Sequence, residues 1–343
     1  MNATKKMRLA LSFLIAVHAV VLLAGFVAPY DYAAQNRALP LAPPTRLHFF
    51  DAEGGFHLRP FVYALKLSAS EHGAYKEDLS RRYPVQFLVS GDEGKIAGLF
   101  PTRLHLFGVE EPARIFLMGT DEFGRDQFSR LLYGGQLSLL AGMLAALLAL
   151  ALGTLLGMLA GFLGRWADEG IMRFAELFLC LPWLYFLFAV RAFLPLHLST
   201  AQAFLIVVAL IGLIGWARPA RLVRGVVLSA RERNYVAVAR KLGASRWYVL
   251  RRHILPHTYS VLLTQAALLI PQFILAEITL SFLGLGVGEP APSWGTMLGA
   301  LQHYHVITSH WWMAFPALVL IPIFLSFHAL ADALQERLRF IPL

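Results

Sequence analysis

The chain has 343 residues, of which 57% are hydrophobic and only 15% are charged, and its mean hydropathy is +0.59. Soluble domains average about 45–50% apolar and about 25% charged residues, so this composition favours a membrane protein. The single cysteine, Cys180, excludes a disulfide scaffold within the chain, and the 25 phenylalanines exclude a disordered chain. The net charge of +9 suits a nucleic acid or a membrane surface, and in so apolar a chain we expect membrane lipid and no nucleic acid.

Charge-free stretches predict about six membrane-spanning helices, because a bilayer core needs roughly 20 apolar residues in a helix. The first stretch, residues 9–30, follows three basic residues. A signal peptide is the alternative for it, but its length and its poor cleavage site favour an uncleaved span. The further predicted spans are residues 131–164, 177–190, 192–217, 255–276 and 311–330.

The basic residues predict the orientation of these spans. Residues 218–252 include ten Lys or Arg and one acid, Glu232. Short basic loops stay in the cytoplasm. An even number of spans then places both termini on the cytoplasmic side, in agreement with the basic residues near each end.

The predicted fold class is therefore all-α integral membrane, with a small extracytoplasmic insert. Residues 1–30 would form a cytoplasmic N-terminus and the first span, and residues 31–133 the insert. Residues 134–335 would form the transmembrane domain, which includes the basic cytoplasmic loop 218–257, and residues 336–343 a cytoplasmic tail. The insert has short apolar runs between charges and glycines, which predict a folded unit with some strand. A disordered loop is the alternative, but Phe and Leu are too frequent for it.

The basic loop contains the sequence RERNYVAVARKLGASRWYVLRRHILPHT, which predicts a helix–Gly–helix knob. Asn234 is a suitable N-cap for a short helix over 235–242, and Gly243 suits the C′ position that ends it. Ser245 can cap a second short helix through residue 252, and Pro256 marks the start of the next span. Small and apolar side chains on the knob favour docking into a groove of another protein. The alternative is a basic loop that meets anionic lipid head groups.

The loop resembles the cytoplasmic loop of binding-protein-dependent ABC importer permeases. That family's pattern is E-A-A, three residues, Gly, about nine residues, and then I-L-P. Gly243 and Ile254–Leu255–Pro256 match it, and the triplet falls on Ala237–Val238–Ala239, so Ala237 replaces the family glutamate. Three further stretches, GWARPARLVRGVVLSARERNYV, MGTDEFGRDQFSRLLYGGQLSL and EITLSFLGLGVGEPAPSWGTML, resemble the dipeptide, oligopeptide and nickel permeases, C-type chains in particular.

The resemblance implies a type I ABC transporter transmembrane domain, located in the bacterial inner membrane. This domain would import peptides and would have no catalytic residues. Its ATPase-coupling loop would comprise Tyr235, Ala237, Val238, Ala239, Leu242, Gly243, Ala244, Ser245, Ile254, Leu255 and Pro256. Implied partners are two ATP-binding subunits, a second homologous permease chain in a heterodimer, and an extracytoplasmic substrate-binding protein. The sequence contains no G-x-x-x-x-G-K-[ST], so ATP and Mg would be bound by the partner subunits and no cofactor by this chain.

Charged residues in or beside the spans are candidates for the translocation pathway, because charges inside a membrane are costly. They are Glu176, Arg191 and Glu277. Their positions near span ends favour structural pairing or interfacial solvation over a pathway role. Outside the second span, Asp121 and Asp126 flank Arg125, which predicts a salt-bridged turn rather than an active site.

His303, His305 and His310 raise the alternative of a transition-metal site, although neighbouring tryptophans favour an interfacial aromatic belt and we expect no metal. Cys180 is expected to be a small packing residue in a helix.

Two other classes of function are alternatives. A secondary transporter driven by an ion gradient requires internal repeats and polar residues at mid-membrane, and the predicted spans have neither. A membrane-embedded enzyme requires Ser/His, paired Asp or H-E-x-x-H within spans, and these are also absent from the sequence. Peptides are the family's usual substrate, and antimicrobial peptides, nickel chelates and sugars are alternatives. The insert could dock the binding protein or fill the entrance.

Overall fold

The structure, a computed structural model, describes residues 3–67, 75–193 and 198–338. Most of these residues are helical. The helices are α1 (Ala3–Leu22), α2 (Ala24–Val27), α3 (Gln127–Leu163), α4 (Arg165–Cys180), α5 (Trp183–Ala192), α6 (Thr200–Gly215), α7 (Ala217–Arg231), α8 (Asn234–Lys241), α9 (Arg246–Val249), α10 (Leu255–Phe282), α11 (Trp294–Gly299), α12 (Tyr304–Ser309) and α13 (Phe315–Leu338).

Five strands lie between α2 and α3, in the part of the chain predicted to be an insert. They are β1 (His48–Phe50), β2 (Phe56–Leu67), β3 (Tyr75–Pro84), β4 (Gln86–Ile96) and β5 (Phe100–Gly108). The first three form an antiparallel sheet in chain order, and β4 and β5 form an antiparallel hairpin. The segment is therefore not the disordered loop that was the alternative, and the all-α prediction applies to the helical part only.

Three helices are long and apolar enough to cross a membrane, over Gln127–Leu163, Arg246–Phe282 and Trp311–Arg337. Two further helix pairs pass the same test if each is taken as one span: α4 with α5, bent by 88°, and α6 with α7, bent by 42°. Within the described residues, this criterion gives three to five membrane-capable helices, fewer than the six predicted. Helix α1 does not meet this criterion, because it carries three basic residues near its start and ends at Leu22.

Proline explains why the predicted span over 177–190 is broken. Helix α4 ends at Cys180, and Leu181 has extended backbone angles (φ −70°, ψ 133°). The residue before a proline is driven out of the helical region, and Pro182 follows Leu181 directly. Cys180 is the last residue of α4 and is exposed, so its predicted packing role is wrong.

The described chain divides into two compact units, and the first comprises Met1–Leu14, Leu139–Leu280 and Pro322–Leu343. One close packing of its helices runs along glycines that recur every four residues on α3, Gly153, Gly157 and Gly161. A Cβ at Gly157 would lie 2.5 Å from the Ala220 carbonyl oxygen of α7, so only glycine fits there. Small residues allow this close approach between membrane helices.

An ion pair also joins α4 to α7 within the first unit. Arg224 donates through Nε and Nη2 to the two carboxylate oxygens of Asp168, with a distance of 2.6 Å from Nη2 to Oδ2. Beside it, Trp216 packs with Ala175 in a small buried cluster. These contacts fix α7, and α7 leads directly into the basic loop.

The second unit comprises Ile15–Ser138 and Ser281–Ile321 and contains all five strands. Its largest sheet core consists of Val62, Tyr83, Val85, Phe107, Ala113 and Ile115. The buried His105 of β5 has Nδ1 2.5 Å from the Ala28 carbonyl oxygen and Nε2 2.9 Å from the Asp92 carbonyl oxygen. Trp294 of α11 is also buried, and its Nε1 donates to the Leu131 carbonyl at 3.0 Å.

Candidate functional site

The basic loop folds as two short helices, α8 and α9, on either side of Gly243. The N-cap of α8 is Arg233, which has extended backbone angles (φ −72°, ψ 143°), and no side chain caps this end. The prediction of Asn234 as the N-cap is therefore wrong by one residue, because Asn234 is already helical.

The end of α8 is fixed by a Schellman motif centred on Gly243. The Ala244 N–H donates to the Ala239 carbonyl and the Gly243 N–H to the Arg240 carbonyl, both at 3.0 Å. Gly243 has φ +85°, a left-handed conformation that glycine adopts without a steric penalty. The prediction of Gly243 as the C′ residue is confirmed.

Ser245 begins the second helix, as predicted, because its Oγ accepts a hydrogen bond from the Tyr248 N–H at 3.2 Å. The helix does not stop at residue 252. A π-helical turn over Leu250–Ile254 joins α9 to α10 without a break. Pro256 lies in the first turn of α10 and, having no N–H, cannot donate to a carbonyl of the π-helical turn before it.

The knob, residues 234–249, has a buried base and an exposed outer face. Val236 and Val249 are fully buried against Val223 and Val227 of α7, with Phe162 of α3 beside them. Large apolar side chains on the other face are exposed: Leu242 by 82%, Trp247 by 68%, and Val238 and Tyr248 by about half. The base thus fixes the knob to α3 and α7, while the large apolar side chains of the outer face stay exposed.

Seven of the eleven predicted coupling residues line one shallow depression on this outer face. They are Tyr235, Val238, Ala239, Leu242, Gly243, Ala244 and Ser245, together with Tyr248 and His253. Ala237 is exposed on α8 outside this depression. Ile254 is buried in the base, and Leu255 and Pro256 belong to the start of α10.

Two arginines strengthen the buried base of the knob. From the sequence, they indicate only the orientation of the chain in the membrane. Arg231 donates through Nη1 to the Gly161 carbonyl at 3.1 Å. The Arg240 guanidinium lies 5.4 Å from the ring centroid of Phe162. Both contacts are to the last turn of α3, where unpaired carbonyls favour cations.

A second cluster of charged residues joins the segment before α3 to the loop after α10. Arg125 donates through Nε to Asp121 at 2.7 Å, as the predicted salt-bridged turn requires. Arg125 Nη1 and Arg130 Nη2 both bind Glu289, at 2.5 and 3.0 Å. Glu289 was not singled out from the sequence, because no local pattern pairs it with residues more than 150 positions away.

Asp126 does not join this cluster, contrary to the prediction that it flanks Arg125 as a partner. Its carboxylate caps α3 instead, accepting from the Ser129 N–H at 2.8 Å and the Ser129 Oγ at 2.6 Å. Burial is the main reason that the pKa of Asp126 is raised to about 6, although these hydrogen bonds oppose the shift. Burial also acts on Glu289, but Arg125 and Arg130 outweigh it and lower the pKa of Glu289.

The three candidate pathway charges have different surroundings. Glu176 is half-exposed and pairs with Arg173 at 3.3 Å. Glu277 is buried within α10, with 1% of its surface exposed. Arg191 lies in α5, and its side chain is outside the described residues. A role for these three in the pathway stays a prediction.

The histidines after α11 do not assemble a metal site. The rings of His303 and His305 are 5.9 Å apart, and His310 packs edge-on against Trp312 at 5.2 Å. In the described parts of the chain, no group of three or more His, Cys, Asp or Glu could hold a metal ion.

The membrane-capable helices define a multi-pass membrane protein, and comparison with known proteins gives its family. The family described as binding-protein-dependent transport system inner membrane component matches residues 153–340, and the chain belongs to it. The chain is 37% identical over 227 residues to the probable D,D-dipeptide transport system permease protein DdpC of Escherichia coli strain K12, covering 66% of this chain and 74% of that protein.

Two further relatives have a similar sequence identity to the chain. The chain is 36% identical over 228 residues to the dipeptide transport system permease protein DppC of Bacillus subtilis strain 168, covering 66% of this chain and 69% of that protein. It is 38% identical over 220 residues to the oligopeptide transport system permease protein OppC of Escherichia coli strain K12, covering 64% and 70%. The predicted family is confirmed. The chain is a permease subunit of an ABC importer, a transport component rather than an enzyme, and coupling to an ATPase is general in this family.

Proposed function

We propose that the chain forms half of the translocation pathway of an ATP-driven importer of peptides. Relatives at 36–38% identity are named as dipeptide, D,D-dipeptide and oligopeptide permeases, which supports a peptide substrate. A second homologous permease chain would supply the other half, and a substrate-binding protein outside the membrane would deliver the peptide.

Six spans are proposed for this chain, in line with the sequence. The three long membrane-capable helices, the two bent pairs and α1 together make six. The basic residues before α1, in the 218–252 loop and near the C-terminus support cytoplasmic termini. The two sheets would then lie outside the cytoplasm. Because α3 begins at Gln127, the insert would end near residue 126 rather than at 133.

The knob is proposed to dock into a groove of one ATP-binding subunit. The second permease chain would dock into the other ATP-binding subunit. The observation that carries this proposal is the contrast between the buried base of the knob and its exposed apolar face. Leu242 is 82% exposed although it is a large apolar residue, and such a side chain gains free energy when a partner covers it. The Schellman motif at Gly243 and the Ser245 cap make both short helices rigid enough to transmit movement.

Closure of the ATPase dimer would push the knob, and α7 and α10 would carry the movement into the spans. Val236 and Val249 belong to the same buried cluster as Val223 of α7 and Ile254, the last residue of the π-helical turn before α10. A displacement of the knob therefore cannot be absorbed without moving these helices, because packed cores are close to incompressible.

The test is purification of the tagged full-length chain from its own host, with quantification of the ATPase subunits that accompany it. We expect Leu242→Asp to lose most of the ATPase subunits, because it places a charge at the centre of the docking face. Leu58→Asp is the matched control, since Leu58 is 88% exposed on β2 and should retain them. Full recovery with Leu242→Asp would reject the knob as the docking element.

A further comparison uses Gly243. Arg or Trp at this position should also abolish recovery of the ATPase subunits, because the left-handed backbone and the depression are both lost.

If the wild-type chain is recovered without any ATPase and takes up solute along an ion gradient in liposomes, the alternative of a secondary transporter is favoured instead.

A further inference from the structure

The turn of the β4–β5 hairpin lies at the C-terminal end of α1. The Ala97 N–H donates to the Leu22 carbonyl oxygen at 2.7 Å. The Lys95 backbone lies against Gly25, where an added Cβ would be 2.5 Å from the Lys95 carbonyl carbon. Backbone contacts therefore hold the hairpin turn against the end of this helix.

One residue of α3, Gln136, lies beside the C-terminal end of α1. Gln136 donates through Nε2 to the Val21 carbonyl at 2.8 Å, one residue before Leu22. From Gln136, α3 continues to Leu163, which is about 40 Å at 1.5 Å per residue. A bilayer is about 30 Å thick in its hydrocarbon core and about 40–45 Å with its head groups. With Leu163 at the cytoplasmic head groups, the Leu22 carbonyl and the hairpin turn would lie at the depth of the head groups on the opposite side.

The hairpin turn has a composition that is unusual for a turn in water. The hairpin tip, residues 96–100, reads Ile-Ala-Gly-Leu-Phe and has no polar side chain. Ala97 and Gly98 both have positive φ, 52° and 70°, and the Leu99 N–H donates to the Ile96 carbonyl, as in a type I′ turn. Such turns in water favour Asn, Asp or Gly at both central positions. Here Ala97 takes the strained first position instead.

The large side chains of the hairpin tip point away from the protein. Leu99 is 75% exposed and Phe100 is 66% exposed, and Leu22 at the end of α1 is 51% exposed. The turn between β1 and β2 is polar by contrast and carries Asp51 and Glu53, although Phe50 and Phe56 beside it are exposed. Of these two described turns, only the one that contacts α1 has no polar side chain.

We propose that the hairpin tip inserts into the lipid bilayer at its extracytoplasmic interface, with Leu99 and Phe100 below the level of the phosphates. The partner is a lipid surface, and the basic Lys95 beside the tip is exposed, where it can meet lipid phosphates. The tip would thus tether the insert to the membrane beside α1. This inference uses the proposed spans α1 and α3, but it does not depend on the knob, on the ATPase or on the transported solute.

The test measures the depth of spin labels in the full-length chain reconstituted into phosphatidylcholine–phosphatidylglycerol vesicles. Cys180 is first replaced by Ser, and one cysteine is then introduced as Leu99→Cys, Phe100→Cys or, as the control in the polar turn, Glu53→Cys. Collision of each label with oxygen, which concentrates in lipid, is compared with collision with a water-soluble nickel chelate.

We expect labels at 99 and 100 to collide more with oxygen than with the nickel chelate, and the label at 53 to show the reverse. Equal access of the nickel chelate to 99 and 53 would place the tip in water and overturn the proposal. Labels at 99 and 100 that are shielded from both reagents would also overturn it, because protein would then cover the tip. ATPase recovery is measured separately on the same variants, so a failure of the coupling proposal is distinguishable from a failure of this one.

Discussion

Arg125 binds both carboxylate oxygens of Glu289, which lies 164 positions later in the chain, at 2.5 and 3.2 Å. Arg125 is almost fully buried, whereas Glu289 is half-exposed. Arg130, 2% exposed, donates to the same carboxylate. Glu289 is therefore the counter-ion of two buried guanidinium groups, and it fixes the loop after α10 to the segment before α3.

Replacing Glu289 tests this relationship. Glu289→Gln keeps the size of the side chain but leaves Arg125 and Arg130 with one carboxylate, that of Asp121. We expect a loss of about 1.5–3 kcal/mol in the free energy of unfolding, typical of a hydrogen bond to a charged group. The measurement is thermal unfolding of the purified chain in detergent. Glu122→Gln, an exposed acid in the same segment, is the control and should unfold at the wild-type temperature.

The close packing of α3 on α7 predicts the effect of a larger side chain at Gly157. Gly157→Val places its Cβ against the Ala220 carbonyl and Val223, so the helices must separate. Overpacking of this kind costs about 1–3 kcal/mol, and we expect a lower unfolding temperature together with weaker ATPase recovery, since α7 supports the knob.

Gly225 provides the matched control for this variant. It lies on α7, and an added Cβ would meet nothing within 4 Å. Gly225→Ala should therefore be neutral or should stabilise α7 by about 0.5–1 kcal/mol through helix propensity. If Gly157→Val unfolded at the same temperature as Gly225→Ala, the close contact between α3 and α7 would be refuted.

The raised pKa of Asp126 predicts a stability that changes with pH. Because folding raises its pKa from 3.8 to about 6, mainly through burial, the neutral form is favoured in the folded chain. Its stabilising contribution is complete below pH 3.8 and is lost as the pH rises through about 6. The full difference corresponds to about 3 kcal/mol, so wild-type stability should fall mainly between about pH 4 and pH 6 and level off above that.

Asp126→Asn removes this titration while its amide oxygen can still accept from the Ser129 N–H. Unfolding temperatures of the two proteins should therefore diverge with increasing pH, with the Asn variant more stable at pH 7. Parallel pH profiles would contradict the assignment of a raised pKa to Asp126.

Ala237 stands at the glutamate position of the E-A-A pattern that the loop resembles, and it is exposed on α8. Ala237→Glu would add a carboxylate one helical turn before Lys241, a pair that contributes about 0.3–0.5 kcal/mol to a helix. We expect the variant to retain ATPase subunits at higher NaCl concentrations than the wild type does. Ala237→Gln is the uncharged control, and equal retention by both variants would show that the charge is not used.

Local patterns predicted the knob well because its geometry is set by a few neighbouring residues. Gly243 and Ser245 could be read directly, since a left-handed C′ residue and an N-cap leave signals within five positions. Asn234 failed by one residue because no side chain caps α8, so the hydrogen-bonding tendency of Asn did not decide where the helix begins.

Non-local contacts could not be predicted in this way. Glu289 is paired only through the fold, and nothing in its neighbours indicates two arginines. The spacing of Gly153, Gly157 and Gly161 is visible in the sequence, but its partner α7 is not. Charge-free runs located α3 and α10 closely. They gave no sign of the 88° bend between α4 and α5, which follows from Pro182 and the extended backbone of Leu181.

The π-helical turn between α9 and α10 has a consequence for the direction in which the knob faces. A π turn holds one more residue than an α turn, and each residue of an α-helix rotates the chain by about 100°. Deleting any single residue from Leu250–Ile254 would remove this extra residue and would rotate Leu242 and Trp247 by about 100° around the axis of α10. The direction of the docking face is therefore set by the number of residues in this stretch, in addition to the buried side chains of Leu250 and Ile254.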